Sequence, residues 1–150
     1  MKIKIYRRNQ NIPLPYRQTK KSVGLDVYAS EDVIVRQFET TFVPTGLTIV
    51  CPPDCFYSLY MRSGLSAKYG LTLVNGVGVI DEDFVGIDDE VMFMMTKLTH
   101  GDPVQINKGD RIGQLIFHMN IFPEIEWEEV NQSFIENLSP SRGGFGSTGV

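Results

Sequence analysis

The chain lacks the features of membrane-spanning and secreted proteins. Only two of its 150 residues are cysteine, two are histidine and one is tryptophan. No apolar run approaches the ~20 residues that a bilayer-spanning helix needs. No apolar segment follows the basic N-terminus MKIKIYRRNQ, as one would in a secretory signal. We therefore expect a cytoplasmic protein with no membrane partner.

The two cysteines lie close together in the segment CPPDC, residues 51–55. This spacing is not the C-x2-C of common zinc sites, and no second cysteine pair completes a set of four ligands. Reduced thiols in a turn are the expected state, and a structural metal is the alternative.

The chain has no excess of positive charge. Its formal net charge is -4 and its sequence pI is about 5.1. An acidic chain repels nucleic-acid duplexes and anionic membranes, so we expect neither as a partner. A small anionic molecule is compatible, because a local site with a metal ion can hold it.

Short apolar, β-branched segments separated by Gly, Pro, Asn and Asp predict an all-β fold. The predicted strands are 33–35, 40–43, 47–51, 56–61, 71–74, 77–80, 90–95, 104–106 and 114–117. Many short strands at regular spacing are typical of a sandwich, jelly roll or barrel. The segment 63–69 predicts one short helix, with Ser63 as N-cap and Gly70 as its stop.

The length fits one domain over residues 1–150 with its own core. The chain ends in SPSRGGFGSTGV, which is too rich in Gly and Ser to pack as a strand by itself. We therefore expect about residues 131–150 to form a flexible C-terminal arm.

Two polar segments suit an anion or a cation. Arg62, Ser63 and Gly64 open the predicted helix, where free N–H groups favour an anion and Arg adds a planar donor set. A capped helix with a surface Arg is the alternative. Asp26 lies at the start of an apolar strand, where an aspartate is more often a solvated or capping residue.

Two further segments carry groups suited to hydrolysis. Asn75-Gly76 predicts a hairpin between 71–74 and 77–80, and Asp81 follows it. Asp81 is ionised near neutral pH and can orient or deprotonate a water, with a metal helping. Gln114, after the Lys108–Asp110 turn, offers both a donor and an acceptor. An acidic turn and an ordinary core strand are the respective alternatives.

The C-terminal segment 142–149 resembles a phosphate-cradling loop. Glycines expose backbone N–H groups, hydroxyls add donors, and Arg142 adds charge. Phe145 can stack on a nucleobase. A frayed terminus is the alternative.

Taken in order, GLDVYAS, MRSGLSAKYG, NGVGVIDEDFVG, KGDRIGQLIF and RGGFGSTG resemble the five motifs of the homotrimeric dUTPase family. The resemblance spans residues 24 to 149. It implies a jelly-roll-like β-barrel or sandwich with one short helix and a C-terminal arm. It also implies a homotrimer whose interfacial sites collect motifs from three chains.

The implied activity is hydrolysis of dUTP to dUMP and pyrophosphate, by Mg²⁺-assisted attack of water on the α-phosphate. That reaction limits uracil incorporation into DNA and supplies dUMP for dTMP synthesis. By resemblance, Asp81 activates the water, Gln114 contacts water and phosphate, and Asp26 holds Mg²⁺ through water. The implied phosphate contacts are Arg62, Ser63, Gly64, Gln114, Arg142, Gly146, Ser147 and Thr148. The implied base and sugar contacts are Asn75, Gly76, Val77, Gly78, Val79, Phe84 and Phe145.

Four departures from the family pattern stand out. Phe84 replaces a usual Tyr, and Val85 replaces a frequent Arg. Residues 87–89 look like a short insertion, either a wider acidic turn at the trimer surface or an extra ion site. Arg142 precedes Phe145 by three residues, which is closer than the family's usual spacing.

The sequence leaves three other functions as alternatives. A dCTP deaminase shares the fold but needs a catalytic Glu in a pattern that neither Glu82 nor Glu90 shows. A nucleotide-sensing regulator with a protein partner is the second, and residues 87–89 are the first place to look for that partner. A purely structural β-domain gives no reason for five phosphate-suited segments.

Overall fold

The computed structural model describes residues 2–121 and 124–138. The strands in this part of the chain are β1 (Lys4–Arg7), β2 (Leu25–Tyr28), β3 (Val33–Val35), β4 (Thr41–Pro44), β5 (Leu47–Val50), β6 (Cys55–Met61), β7 (Leu71–Leu73), β8 (Gly78–Ile80), β9 (Met92–Lys97), β10 (Val104–Ile106) and β11 (Arg111–Met119). The helices are α1 (Ser63–Tyr69) and α2 (Gln132–Glu136).

Antiparallel sheets enclose one core, which confirms the predicted jelly-roll class. The larger sheets have the strand orders β2-β11-β6-β8 and β4-β9-β7, and the strand pairs β1-β5 and β10-β3 complete the fold. Their buried side chains form a single hydrophobic cluster. The largest fully buried members are Tyr57, Phe93, Leu47, Ile49 and Leu71. Within the described part of the chain, no helix is long and apolar enough to cross a membrane.

The hairpin predicted around Asn75-Gly76 is wrong in its pairing. The turn itself is present, with Gly76 at φ 72°. However, β7 pairs with β9 and β8 pairs with β6. The turn therefore carries the chain from one sheet to the other, because each flanking strand finds a better partner elsewhere.

The predicted helix has the expected bounds but a different N-cap. Ser63 is its first helical residue, and Arg62 occupies the N-cap position with no side-chain cap hydrogen bond. Gly70 ends the helix in the left-handed conformation, and its N–H donates to the Ser66 carbonyl. The second helix, α2, was not predicted, and it begins where the Asn131 side chain accepts a hydrogen bond from the Phe134 N–H.

Candidate active site

A β-bulge in β11 creates the polar end of the four-stranded sheet. In a regular strand, residues three apart point to opposite faces. The β2–β11 register shifts between Arg111 and Gly113, and Ile112 and Gly113 are both buried in succession. Arg111 and Gln114 therefore point to the same side, where both reach Asp26.

Asp26 is the centre of this cluster. Its side chain is 3% exposed. Gln114 Nε2 donates to its Oδ1 at 2.9 Å, and Arg111 Nη1 donates to its Oδ2 at 3.2 Å. Both backbone groups of Asp26 pair with Tyr16. The carboxylate is buried but paired, as a charge in this environment must be.

The cluster opens into a cavity of about 190 Å³, here called the Arg62 cavity. Its lining residues are Gln18, Asp26, Arg62, Ser63, Gly64, Arg111 and Gln114. Arg62 Nη1 donates to the Arg111 carbonyl at 3.1 Å, so the bulge also anchors the residue before α1. Five predicted residues thus meet at one place in the fold.

Asp81 lines a different and larger cavity of about 920 Å³, here called the Asp81 cavity. Its lining residues are Val50, Cys51, Cys55, Phe56, Val79, Asp81, Glu82, Asp83, Val85 and Asn120. Glu82 Oε2 accepts the Asp54 N–H at 2.9 Å, which ties the β5–β6 turn to the segment that bears Asp81.

The two cysteines are free and buried in the wall of the Asp81 cavity. Burial raises the pKa of the Cys51 thiol to about 11, and nearby Cys55 and Glu82 add to the shift. The reduced state matches the expectation. Among residues 2–121 and 124–138, no three His, Cys, Asp or Glu side chains are grouped as metal ligands would be.

The two cavities lie on the same face of one sheet but far apart. Gln114 is opposite Tyr60 in the β11–β6 register. Ile80 is opposite Tyr57, so continuing this register places Asp81 beside Phe56. With strands ~4.8 Å apart and a rise of ~3.3 Å per residue, Asp81 and Gln114 are on the order of 16 Å apart at Cα. Within one chain, the side chains of Asp81 and Gln114 therefore cannot contact the same water or phosphate group.

The predicted base and sugar residues surround β8 and its flanking turns. Asn75, Gly76, Val77 and Val79 are exposed, whereas Gly78 is buried against Leu59. Phe84 is half-buried, and its N–H donates to the Asp81 carbonyl at 3.3 Å. Arg142, Phe145, Gly146, Ser147 and Thr148 lie outside the described residues.

Residues 87–89 form a closed acidic turn. The Asp89 carboxylate accepts the Gly86 N–H at 2.6 Å, so it stabilises its own turn. Arg8 donates to the Ile87 carbonyl at 2.9 Å, and Thr48 Oγ1 donates to the Asp89 carbonyl at 2.9 Å. These hydrogen bonds favour a wider acidic turn over an extra ion site at residues 87–89.

Sequence reasoning missed Arg111 and Gln18 in the Arg62 cavity. The motif KGDRIGQLIF contains Arg111, but its spacing from Gln114 would place the two side chains on opposite faces of a regular strand. Gly113 was the available signal, since a glycine inside a strand often marks a bulge. Gln18 lies in an exposed loop, and no local pattern identifies it.

The fold is an all-β jelly roll, and one cavity at the end of its larger sheet gathers cationic, amide and carboxylate groups. Residues 10–149 match the dUTPase family model. The chain belongs to the dUTPase family.

Curated relatives align along nearly the whole chain. The deoxyuridine 5'-triphosphate nucleotidohydrolase of Wolbachia pipientis subsp. Culex pipiens (strain wPip) is 36% identical over 151 residues, covering 99% of this chain and 95% of the relative. The protein of the same name from Finegoldia magna is 37% identical, covering 99% of each chain. The crystal structure of dUTPase from Streptococcus mutans superimposes with a TM-score of 0.73 at 26% identity, covering 81% of this chain and 98% of that one.

Proposed function

We propose that this chain hydrolyses dUTP to dUMP and pyrophosphate by attack of a water on the α-phosphate, assisted by Mg²⁺. The observation that carries the proposal is the bulge, which gathers Asp26, Gln114 and Arg62 into one cavity on the sheet face that also carries Asp81. The reaction would limit uracil incorporation into DNA and supply dUMP for dTMP synthesis.

The Arg62 cavity suits the triphosphate. The Arg62 guanidinium offers planar donors that match phosphate oxygens. Ser63 and Gly64 begin α1, where backbone N–H groups lack helical partners. The Gln114 amide donates to Asp26 and keeps its carbonyl oxygen free to accept a hydrogen bond from a water.

Asp81 is the proposed base for the attacking water. Its side chain is exposed at the cavity mouth, and a carboxylate that is ionised at neutral pH can orient a water and accept its proton. The Phe84 N–H and the Glu82–Asp54 contact fix the backbone on the C-terminal side of Asp81. Positioning of this kind is the main requirement of in-line attack on a phosphate.

The residues of the Arg62 cavity fit a Mg²⁺ ion that arrives with the triphosphate. Asp26 is the single carboxylate among the described residues of that cavity, and its remaining lone pairs can accept hydrogen bonds from the ion's waters. The other side chains there are amide, hydroxyl and guanidinium groups, which suit phosphate better than a cation. When bound, Mg²⁺ would neutralise charge on the phosphate oxygens.

Base and sugar selection is assigned to the β8 region. Asn75 and backbone groups from Gly76 to Val79 would pair with the uracil edge, and Phe84 would lie under the deoxyribose. A close wall excludes the 5-methyl group of thymine, because overpacking costs ~1–3 kcal/mol. Cytosine would leave a buried polar group unpaired, at a cost of ~1–3 kcal/mol. Phe145 would cover the base, and Arg142, Gly146, Ser147 and Thr148 would contact the phosphates.

A homotrimer with shared sites resolves the separation of the two cavities. A neighbouring copy can place its Asp81 cavity against the Arg62 cavity of this chain. Residues 124–138 support assembly, because their apolar side chains are solvent-exposed in the single chain, Trp127 at 92%. Several exposed large apolar side chains in one segment favour burial against another copy.

Pyrophosphate release from dUTP with Mg²⁺ tests the proposal, with dTTP, dCTP and UTP as competing substrates. We expect release from dUTP only, and a loss of about a thousandfold or more in Asp81→Asn, because Asn cannot accept the proton. Ammonia release from dCTP would indicate a deaminase. Tight dUTP binding without any turnover would indicate the regulatory function instead.

A further inference from the structure

We propose that Arg111 is a positioning residue, which holds the Asp26 carboxylate in place for the metal-bound triphosphate. The inference rests on the proposed function and extends it to a residue outside the set that the family resemblance assigns.

The contacts of Arg111 carry the inference. Its Nη1 donates to Asp26 Oδ2 at 3.2 Å, and this is the charged partner of that carboxylate among the described residues. Gln114 provides the other side-chain hydrogen bond to Asp26 at 2.9 Å. Without the guanidinium, Asp26 would keep a buried negative charge with one neutral donor, a state that a folded protein avoids.

Burial distinguishes the roles of the two residues. The Arg111 side chain is 39% exposed and lines the Arg62 cavity, whereas the Asp26 side chain is 3% exposed. The register shift in β11 serves this contact directly, since it turns Arg111 to the face that Asp26 and Gln114 share. The strand thus departs from regular pairing at the point where the contact forms.

Replacing the side chain isolates this contact from the other one that Arg111 makes. Arg62 binds the backbone carbonyl of Arg111, so Arg111→Met keeps that acceptor while it removes the guanidinium and its contact with Asp26. Partners that orient a metal-site carboxylate typically change affinity or activity by about 10–100-fold. We expect Arg111→Met to weaken binding of a non-hydrolysable imido analogue of dUTP by about that factor with Mg²⁺, and by less with EDTA. Arg111→Lys retains a cation and is expected to lose less.

The decisive experiment is a double-mutant cycle of Arg111→Met with Asp26→Asn, read by calorimetric analogue binding with Mg²⁺ and with EDTA. If Arg111 acts through Asp26, the second substitution adds little to the first. Arg36→Met is the matched control, since Arg36 is exposed on another strand end, and it should bind like the wild type. Thermal unfolding checks that each variant folds. If Arg111→Met does not fold, Arg111→Lys replaces it in the double-mutant cycle.

Two results would overturn the inference. One is a full additional loss from Arg111→Met in the Asp26→Asn background, and the other is an equal loss with Mg²⁺ and with EDTA. Wild-type turnover of dUTP separates these outcomes from failure of the proposed function. If the wild type is active and the cycle is additive, the role of Arg111 is rejected and the proposed function stands.

Discussion

At the scale of single residues, burial keeps the side chains of Cys51 and Tyr57 neutral. The pKa of the Cys51 thiol is raised to about 11 by burial, by Cys55 and by Glu82. Burial, with Cys51 as a second cause, also raises the pKa of Tyr57, whose side chain is fully buried. Both groups stay uncharged near neutral pH, so Asp81 has no additional anion behind it from either residue.

These shifts predict that the folded protein loses stability in alkaline solution. The Cys51 thiol titrates at 9.0 when unperturbed and at about 11 when folded. The unfolded chain therefore releases this proton first, and its contribution to stability is complete below pH 9 and is lost as pH rises toward 11. Urea midpoints measured across this range should fall. Cys51→Ala should show a shallower fall than the wild type, and parallel curves for the two proteins would contradict the assignment.

At the scale of elements, the β11 bulge connects the core to the site. A Cβ on Gly113 would meet the buried Phe93 ring and approach the Tyr60 carbonyl oxygen to 2.7 Å. The bulged position therefore requires glycine because two neighbours approach its backbone closely. The same bulge turns Arg111 and Gln114 toward Asp26, so core packing determines the site's geometry.

Gly113→Ala is therefore expected to reduce both stability and activity. Overpacking against Phe93 should lower the free energy of unfolding by ~1–3 kcal/mol, and the shifted strand should reduce kcat/KM for dUTP. Gly64→Ala is the control for stability, because a Cβ there meets nothing within 4 Å and alanine favours a helix. Wild-type stability and turnover in Gly113→Ala would show that the bulge tolerates a side chain.

The sequence predicted local elements well and their long-range partners poorly. Helix α1 and strands β3 and β10 have the predicted bounds, since caps, turn residues and β-branched runs are local signals. β1 was missed because it is short, lies half-exposed and is stabilised by pairing with the distant β5. The partners of β7 and β8, and the bulge at Gly113 beside Phe93, depend on contacts between segments remote in sequence.

Prediction of the site followed the same division. The fold brings five residues that the motifs predicted into one cavity: Asp26, Arg62, Ser63, Gly64 and Gln114. Arg111 was missed because its role depends on a register shift. The arm residues lie outside the described part of the chain, so their roles stay predictions.

At the scale of the whole molecule, the Asp81 cavity and the Arg62 cavity are separate within one chain. Strand register alone holds Asp81 and Gln114 at different ends of one sheet face. No rotamer change spans that separation, so we propose that a complete site combines the Asp81 cavity of one copy with the Arg62 cavity of another. Cyclic assembly of identical chains closes such a heterologous contact.

Subunit mixing tests this central claim most directly. Asp81→Asn and Gln114→Ala should each be nearly inactive alone. When the two are unfolded together in equal amounts and refolded, about a quarter of the sites should combine an intact Asp81 from one chain with an intact Gln114 from its neighbour. The account predicts that dUTP turnover returns to about a quarter of the wild-type rate. A mixture that remains as inactive as its components would contradict a site shared between chains.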